Sequence, residues 1–189
     1  MDEHQLVSAL RNREPAAVQE LVQSCGDRLL RSAFLLCGSE ADAQDLVQET
    51  FLKALQSVHR FQGRCAIYTW LRAILLNLTR HYHRTRKRFA STNEVEELST
   101  APAGEQQLDA EFASSTLTNA LSRLSPAHRE VLVLRFYEDL KIHEIAAHIG
   151  VSRGTVKSRL HYAIAEMQKL LPAELNLFGP QGTKTIEKR

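Results

Sequence analysis

Residues 141–171 read "KIHEIAAHIGVSRGTVKSRLHYAIAEMQKLL", and this stretch decides the fold of the C-terminal part of the chain. Apolar residues recur at helical spacing on both sides of Gly150, which predicts two helices. Gly150 suits the left-handed backbone conformation that a tight turn between helices requires. Ser152 can accept a hydrogen bond from the first turn of the second helix. The stretch therefore predicts a helix-turn-helix.

The second of these helices has an apolar side and a cationic side. Val156, Leu160 and Met167 share one face. The other face carries the six polar candidates Arg153, Thr155, Lys157, Ser158, Arg159 and His161. Cations and short hydroxyl groups on a rigid helix fit the major groove of duplex DNA. An ordinary amphipathic hairpin with a solvated charged face is the alternative. The agreement of turn, cap and outward charge favours DNA.

Charge divides the rest of the chain. A dense basic run lies between Arg80 and Arg88, and six acidic residues with no Lys or Arg follow between residues 90 and 111. That acidic stretch also contains Ser, Thr, Pro102 and Gly104 and has no sustained apolar period. We interpret 90–112 as a flexible acidic linker, because an aperiodic loop this long is uncommon within one compact domain.

The segments on both sides of the linker have helical patterns, and no stretch shows the sustained alternation of a strand. Ser39 can cap a helix over residues 40–58, a second helix begins near Tyr68, and Ser125-Pro126 starts a third. The predicted fold is all-α, with two small helical domains joined by the linker, the second being the helix-turn-helix domain. The boundaries are 1–89, 90–112, 113–172 and a tail of 173–189.

An acidic stripe lies on the helix after Ser39. Asp42, Asp45 and Glu49 share one face, with Gln48 beside them. The positive end of the helix dipole explains Asp42 by itself, but it explains Glu49 less well. Because such a stripe would repel phosphate, we expect it to meet a basic protein surface.

Residues 60–88, "RFQGRCAIYTWLRAILLNLTRHYHRTRKR", interleave aromatic and basic side chains. This pattern suits single-stranded nucleic acid, because bases stack on rings while cations follow the backbone. Trp70 adjoins an apolar stripe, so core packing and base contact are equally compatible with its position.

Several other classes of protein are disfavoured. The formal net charge is only +2, so a nucleic-acid footprint has to be local. The three cysteines show no C-x-x-C pair, the histidines lack ligand spacing, and no Gly-rich phosphate-binding loop occurs. We therefore predict no catalytic site, no metal and no cofactor. The first residues, "MDEHQ", do not resemble a signal peptide, and the apolar runs are short. A cytoplasmic protein with reduced thiols and no membrane insertion is expected.

Three segments together carry a family resemblance. The chain resembles the extracytoplasmic-function group of sigma-70-type RNA polymerase sigma factors in residues 42–55, 61–88 and 124–161. The last of these segments begins "LSPAHREVLVLRFYEDLKIHEIAAHIG". The resemblance covers most of the chain in the family's order. It implies a first domain that binds the largest polymerase subunit and opens the promoter at the minus-ten element. It implies a second domain that contacts the other large subunit and reads the minus-thirty-five element, and often an anti-sigma partner.

The resemblance also assigns residues. Asp45, Gln48 and Glu49, with Asp42 on the same stripe, match the core-polymerase face. Phe61, Gln62, Gly63 and Arg64 match the loop that captures an unstacked base, and Asn77 matches a position beside the melted strand. With the aromatic and basic side chains above, the expected minus-ten set is Phe61, Gln62, Gly63, Arg64, Tyr68, Trp70, Asn77, Arg80, Arg84 and Arg88. The polar face after Ser152 matches the recognition helix, where "SRLHYAI" replaces the frequent "SRLHRAR" with Tyr162 and Ile164.

Two rival functions remain. A stand-alone helix-turn-helix regulator with an N-terminal sensing or dimerising domain would bind duplex DNA without polymerase. The acidic stripe and the aromatic-basic segment argue against it. A metal-dependent hydrolase would need clustered ligands, which the scattered histidines do not supply.

Overall fold

The computed structural model describes residues 2–90 and 108–172. Within these ranges all regular structure is helical and there is no strand, so the predicted all-α class is confirmed. The chain divides into two compact units, one within residues 1–94 and the other within residues 95–189. Each unit has its own core.

Residues 2–90, the described part of the first unit, contain four α-helices and one short 3-10 helix. Their bounds are α1 Glu3–Arg11, α2 Pro15–Cys37, α3 Glu40–Ser57, the 3-10 helix Val58–Arg60 and α4 Ile67–Ala90. Helix α2 packs against α1, α3 and α4, and α3 packs against α4. Leu21, Leu29, Leu71 and Leu75 are almost completely buried between them. The apolar stripes of α2 and α4 form the centre of this core, and buried residues of α1 and α3 complete it.

Local signals set the ends of these helices. Gly38 ends α2 with a φ of 80°, a left-handed conformation that glycine adopts without steric cost. Oγ of Ser39 accepts a hydrogen bond of 3.3 Å from the amide of Asp42, so Ser39 caps α3 as predicted. Pro15 begins α2 at its first position, where a missing N–H costs nothing.

Within residues 108–172 the second unit has four α-helices and one π-helical turn. Their bounds are α5 Leu108–Arg123, α6 Pro126–Leu132, the π-helical turn Val133–Tyr137, α7 Ile142–Ile149 and α8 Arg153–Leu170. Helix α8 packs against α5, α6 and α7. Its buried residues are Val156, Leu160, Ala163, Ile164 and Met167, as its apolar period predicted.

The predicted helix-turn-helix is confirmed. Gly150 ends α7 with a φ of 69°, and its amide donates to the carbonyl of Ala146. Oγ of Ser152 accepts a hydrogen bond of 3.0 Å from the amide of Thr155, so Ser152 caps α8. Ser125 caps α6 in the same way, through the amide of His128.

Two predicted segments fall mainly outside the described residues. Of the predicted linker, residue 90 belongs to α4 and residues 108–112 belong to α5. Residues 91–107 and the predicted tail, 173–189, lie outside the described ranges. Within those ranges, no helix combines the length and the hydropathy needed to cross a membrane.

Candidate nucleic-acid and protein interfaces

The acidic stripe of α3 opens into a cavity beside α4. Asp42, Asp45 and Glu49 line this cavity, whose volume is about 500 Å³, and Leu46 and Leu78 add apolar surface. Gln48 is exposed on the same helix. The lining also includes His81 and Arg86, but three carboxylates around an apolar patch suit a long cationic side chain with an aliphatic stem.

Asp42 is half-buried and accepts a hydrogen bond from a side chain of α4. The hydroxyl of Tyr82 donates to Oδ2 of Asp42 at 2.8 Å, and Arg86 donates to the same hydroxyl oxygen at 2.6 Å. Burial, and then the hydrogen bond to Asp42, raise the pKa of Tyr82 above its usual value. Asp42 therefore joins α4 to α3, and because its side chain is only half-buried, its contact with polymerase stays a prediction.

The other two carboxylates of the stripe differ in their partners. Glu49 forms an ion pair of 2.9 Å with Lys53, four residues along α3. Asp45 is exposed and makes no hydrogen bond or ion pair with any residue in the described ranges. Asp45 is therefore the carboxylate of the stripe that is available to a partner.

Residues 61–66 form the loop that joins the 3-10 helix to α4, and we call it the 61–66 loop. Gly63 has a φ of 67°, a conformation that other residues rarely adopt. Gln62, Gly63 and Arg64 are exposed, and so is Cys65. The loop thus presents a cation and an amide to solvent, as expected from the sequence.

Phe61 does not share that exposure. Its side chain is buried, with 4% of its surface accessible, and its ring centroid lies 5.0 Å from that of Trp70. A ring in this position packs in the core and has no face for a base, so the expectation of direct base contact by Phe61 is corrected. Trp70 is partly buried against the same core. The core interpretation of Trp70 therefore has direct structural support.

Tyr68 is covered by cations. The guanidinium carbon of Arg28 lies 4.1 Å from the ring centroid of Tyr68, and that of Arg72 lies 5.9 Å away. Both distances suit cation–π attraction. Tyr68 is half-buried, and its contact with Arg28 links α4 to α2.

A polar stripe runs along α4 beyond the loop. Its members are separated by three, four and four residues, so they share one face: Asn77, Arg80, Arg84 and Arg88. Nη1 of Arg80 lies 3.4 Å from Oδ1 of Asn77, a long hydrogen bond. Arg86 is also exposed, but it lies on the α3 side, where it donates to the hydroxyl of Tyr82. The stripe gives the 61–66 loop a cationic continuation.

The outward face of α8 carries the remaining candidates. Arg153, Lys157, Ser158 and His161 are exposed, whereas Thr155 and Arg159 are half-buried. The three cations of this face, Arg153, Lys157 and Arg159, have no ion-pair partner within the described ranges.

Neighbouring groups on α8 refine its chemistry. The hydroxyl groups of Ser152 and Thr155 are 2.9 Å apart, and Ser158 donates to the carbonyl of Thr155. Tyr162 is 60% exposed, while Ile164 is completely buried. Ile164 therefore packs in the core. Of the two residues that differ from the frequent family sequence, only Tyr162 changes the outward surface.

Two hydrogen bonds at the ends of the 61–66 loop could not be predicted from the sequence. Oε1 of Glu3 accepts a hydrogen bond of 3.0 Å from the amide of Ile67, and Nη2 of Arg11 donates to the carbonyl of Phe61 at 2.6 Å. These bonds join residues 64 and 50 positions apart, so no local pattern could have indicated them. Tyr82 and Arg86 are at helical i, i+4 spacing, but that spacing does not indicate their contact with Asp42 on another helix.

The three cysteines of the chain lie within the described residues and are free thiols. Cys25 and Cys37 are buried free thiols, and burial raises the pKa of Cys25. Cys65 is a free thiol in the 61–66 loop. No group of three or more His, Cys, Asp or Glu side chains in residues 2–90 and 108–172 could hold a metal ion.

Comparison with known proteins places this geometry in a family. The sigma-70 region 2 model matches residues 21–89, and the sigma-70 region 4 model matches residues 120–169. The chain is 34% identical over 156 residues to the RNA polymerase sigma-E factor of Streptomyces coelicolor, covering 82% of this chain and 86% of that protein. It is 31% identical over 172 residues to the ECF RNA polymerase sigma factor SigL of Mycobacterium tuberculosis, covering 87% and 94%.

A solved structure agrees with these relatives. The sigma factor RpoE of Bartonella quintana, crystallised with the anti-sigma factor NepR, matches with a TM-score of 0.66 and 30% identity, covering 82% of this chain and 96% of that one. The chain therefore belongs to the extracytoplasmic-function group of sigma-70 RNA polymerase sigma factors, which direct promoter-specific initiation by core RNA polymerase.

Proposed function

We propose that residues 1–89 dock core polymerase and open the promoter at the minus-ten element, while residues 113–172 read the minus-thirty-five element. The observation that supports this division best is the charge of the exposed faces. The exposed stripe of α3 is acidic, whereas the exposed faces of α4 and α8 are cationic. Acidic surface suits a basic protein, and cationic surface suits phosphate.

The outer part of the acidic stripe binds polymerase. Asp45 supplies an unpaired carboxylate, Glu49 a carboxylate shared with Lys53, and Gln48 an exposed amide beside them. The cavity between α3 and α4 accepts the aliphatic stem of a polymerase cation. Asp42 keeps the cavity walls together through Tyr82.

The 61–66 loop and the polar stripe of α4 open the promoter DNA at the minus-ten element. Extruding a base costs a few kcal/mol, and stacking returns about 1–3 kcal/mol per base. Because Phe61 is buried, the exposed guanidinium plane of Arg64 is the stacking surface that the loop offers. Asn77 provides hydrogen-bonding groups for a base edge, and Arg80, Arg84 and Arg88 hold phosphates.

Reading of the minus-thirty-five element falls to α8. Arg153 lies at the first position of the helix, where the recognition helix of this motif meets base edges. Lys157 lies one turn later on the same side, in reach of phosphate. The buried face of α8 fixes the orientation of both.

Three general features of the function follow from binding to polymerase and promoter DNA. The protein performs no reaction of its own, because its binding energy is directed at distorted DNA. It acts in the cytoplasm, where polymerase and promoter DNA are found. An anti-sigma protein regulates it, an expectation supported by the complex of the similar RpoE with NepR.

A transcription assay tests the proposal against the stand-alone regulator. Core polymerase alone, the protein alone and the two together are incubated with a library of bacterial promoter fragments, and run-off transcripts are sequenced. Initiation at a defined subset of fragments that requires both components supports the proposal. Tight, sequence-specific binding to duplex DNA by the protein alone, with no transcript from the mixture, would establish the rival function.

A further inference from the structure

Helix α1 holds both ends of the 61–66 loop. Arg11, at the last position of α1, donates to the carbonyl of Phe61, where the loop begins. Glu3, at the first position of α1, accepts from the amide of Ile67, where α4 begins. The two bonds are 2.6 and 3.0 Å long, and the loop lies between them.

Each bond satisfies a group that the loop itself leaves unpaired. The first amides of an α-helix have no hydrogen-bond acceptor within the helix. The carboxylate of Glu3 supplies an acceptor for the amide of Ile67. Its negative charge also complements the positive end of the α4 dipole. At the other end, the guanidinium group of Arg11 gives the Phe61 carbonyl a charge-assisted hydrogen bond. Both bonds are therefore of the stronger kind.

The side of α1 that faces the loop also borders a cavity of about 430 Å³. His4 and Val7 of α1 line it together with the two bonding residues, and residues 61–66 line the remainder. Residues 62–66 are exposed, so the anchors at the two ends, with the backbone of Gly63, determine where their side chains lie. A shift of α1 would move the loop relative to α4.

We propose that Glu3 and Arg11 are positioning residues that set the sequence preference of the 61–66 loop for the melted promoter strand. The inference rests on the function proposed above for that loop. It gives a role in DNA recognition to α1, which precedes the residues matched by the region 2 model, 21–89. Neither residue needs to touch DNA, because each acts through the backbone of the loop.

The test measures preference rather than affinity. Wild-type holoenzyme selects its preferred single-stranded oligonucleotide from a random-sequence pool, and that oligonucleotide and a scrambled version serve as fluorescent probes. The ratio of the two dissociation constants is then measured for holoenzymes with Glu3→Ala and Arg11→Ala. We expect the dissociation constant of the scrambled probe divided by that of the preferred probe to fall by up to roughly tenfold in each variant, because the discrimination lost is limited by the free energy of the one charge-assisted hydrogen bond that positions the loop.

Conservative and control variants separate positioning from folding. Glu3→Gln keeps an oxygen acceptor for the Ile67 amide, so we expect it to restore most of the ratio. Arg13→Ala, which removes a nearby exposed arginine, should leave the ratio at the wild-type value. A purely structural role would reduce the folded fraction and weaken both probes equally, leaving the ratio unchanged in Glu3→Ala and Arg11→Ala. That result would overturn the inference.

Loop variants show whether the proposed function falls as well. If Gln62→Ala and Arg64→Ala lower the ratio while Glu3→Ala and Arg11→Ala do not, only the positioning role is wrong. If none of the four changes the ratio, the loop does not read the strand, and the inference and the proposed role of the loop both fail.

Discussion

The hydroxyl of Tyr82 lies 2.8 Å from Oδ2 of Asp42 and donates a hydrogen bond that joins α4 to the first turn of α3. Arg86 donates to the oxygen of the same hydroxyl. One carboxylate of the acidic stripe is thereby committed to the fold, while Asp45 remains available. The stripe therefore contains one carboxylate that joins two helices and one, Asp45, that has no partner in the described ranges.

Loss of the Tyr82 hydroxyl is expected to destabilise the first unit. Tyr82→Phe leaves the ring in place but deprives Asp42 of its donor, which costs about 1 kcal/mol. Urea unfolding followed by the fluorescence of Trp70, the single tryptophan of the chain, measures this unit directly. Tyr162→Phe, at an exposed tyrosine of the second unit, is the matched control and should leave the transition of Trp70 unchanged.

The same hydroxyl predicts a pH dependence. The folded state raises the pKa of Tyr82 above its ordinary value of 10.0, so folding favours the protonated hydroxyl. This stabilisation is complete below pH 10 and is lost as pH rises above it, because the unfolded chain ionises first. The stability difference between wild type and Tyr82→Phe should therefore shrink above pH 10. A difference that stays constant from pH 8 to pH 11 would contradict the assignment.

Charge reversal on α3 is expected to affect polymerase binding unequally. Asp45→Lys replaces an unpaired carboxylate, so we expect the affinity for core polymerase to fall by about tenfold or more. Glu49→Lys should have a smaller effect, because Lys53 already neutralises Glu49. Glu40→Lys, at an exposed position earlier on α3, is the control. Equal affinities for all three variants in a fluorescence titration would exclude this stripe as the docking surface.

The burial of Phe61 changes what its substitution should do. Phe61→Ala removes a buried ring and should cost about 3–5 kcal/mol of stability. Phe61→Leu refills most of that space but supplies no aromatic face. We therefore expect Phe61→Leu to retain promoter opening, measured by permanganate reactivity of unpaired thymines. Loss of opening with stability retained would restore the role in base stacking that the sequence suggested.

The contrast between Phe61 and Ser152 shows which features a sequence can predict. Ser39, Ser125, Ser152 and Gly150 act within a few residues of their own positions, so their local pattern was enough to place the helix ends. Phe61 stands between Arg60 and Gln62 without any apolar period, and its burial depends on Trp70, on the following helix. The hydrogen bonds from Glu3 and Arg11 likewise depend on how α1 packs, which no local spacing encodes.

The two exposed cations at the start of α8 are expected to have different roles. Arg153 lies at the first position of the helix and can grip guanine O6 and N7 through two hydrogen bonds, a pairing that discriminates by about 1–3 kcal/mol. Lys157 lies one turn later, where a phosphate contact fixes register without reading sequence. Neither has an ion-pair partner in the described ranges, so both charges are available to DNA.

These roles separate in a binding experiment with holoenzyme and a library of upstream elements at several salt concentrations. Arg153→Ala should relax the preference at one or two positions of the element, because only base contacts carry sequence information. Lys157→Ala should weaken all sequences alike and reduce the dependence of log affinity on log salt by about one unit. Arg123→Ala, at an exposed arginine of α5, controls for loss of charge alone. If Arg153→Ala and Lys157→Ala both leave the ranking and the salt slope unchanged, the outward face of α8 is a solvated surface and another element reads the promoter.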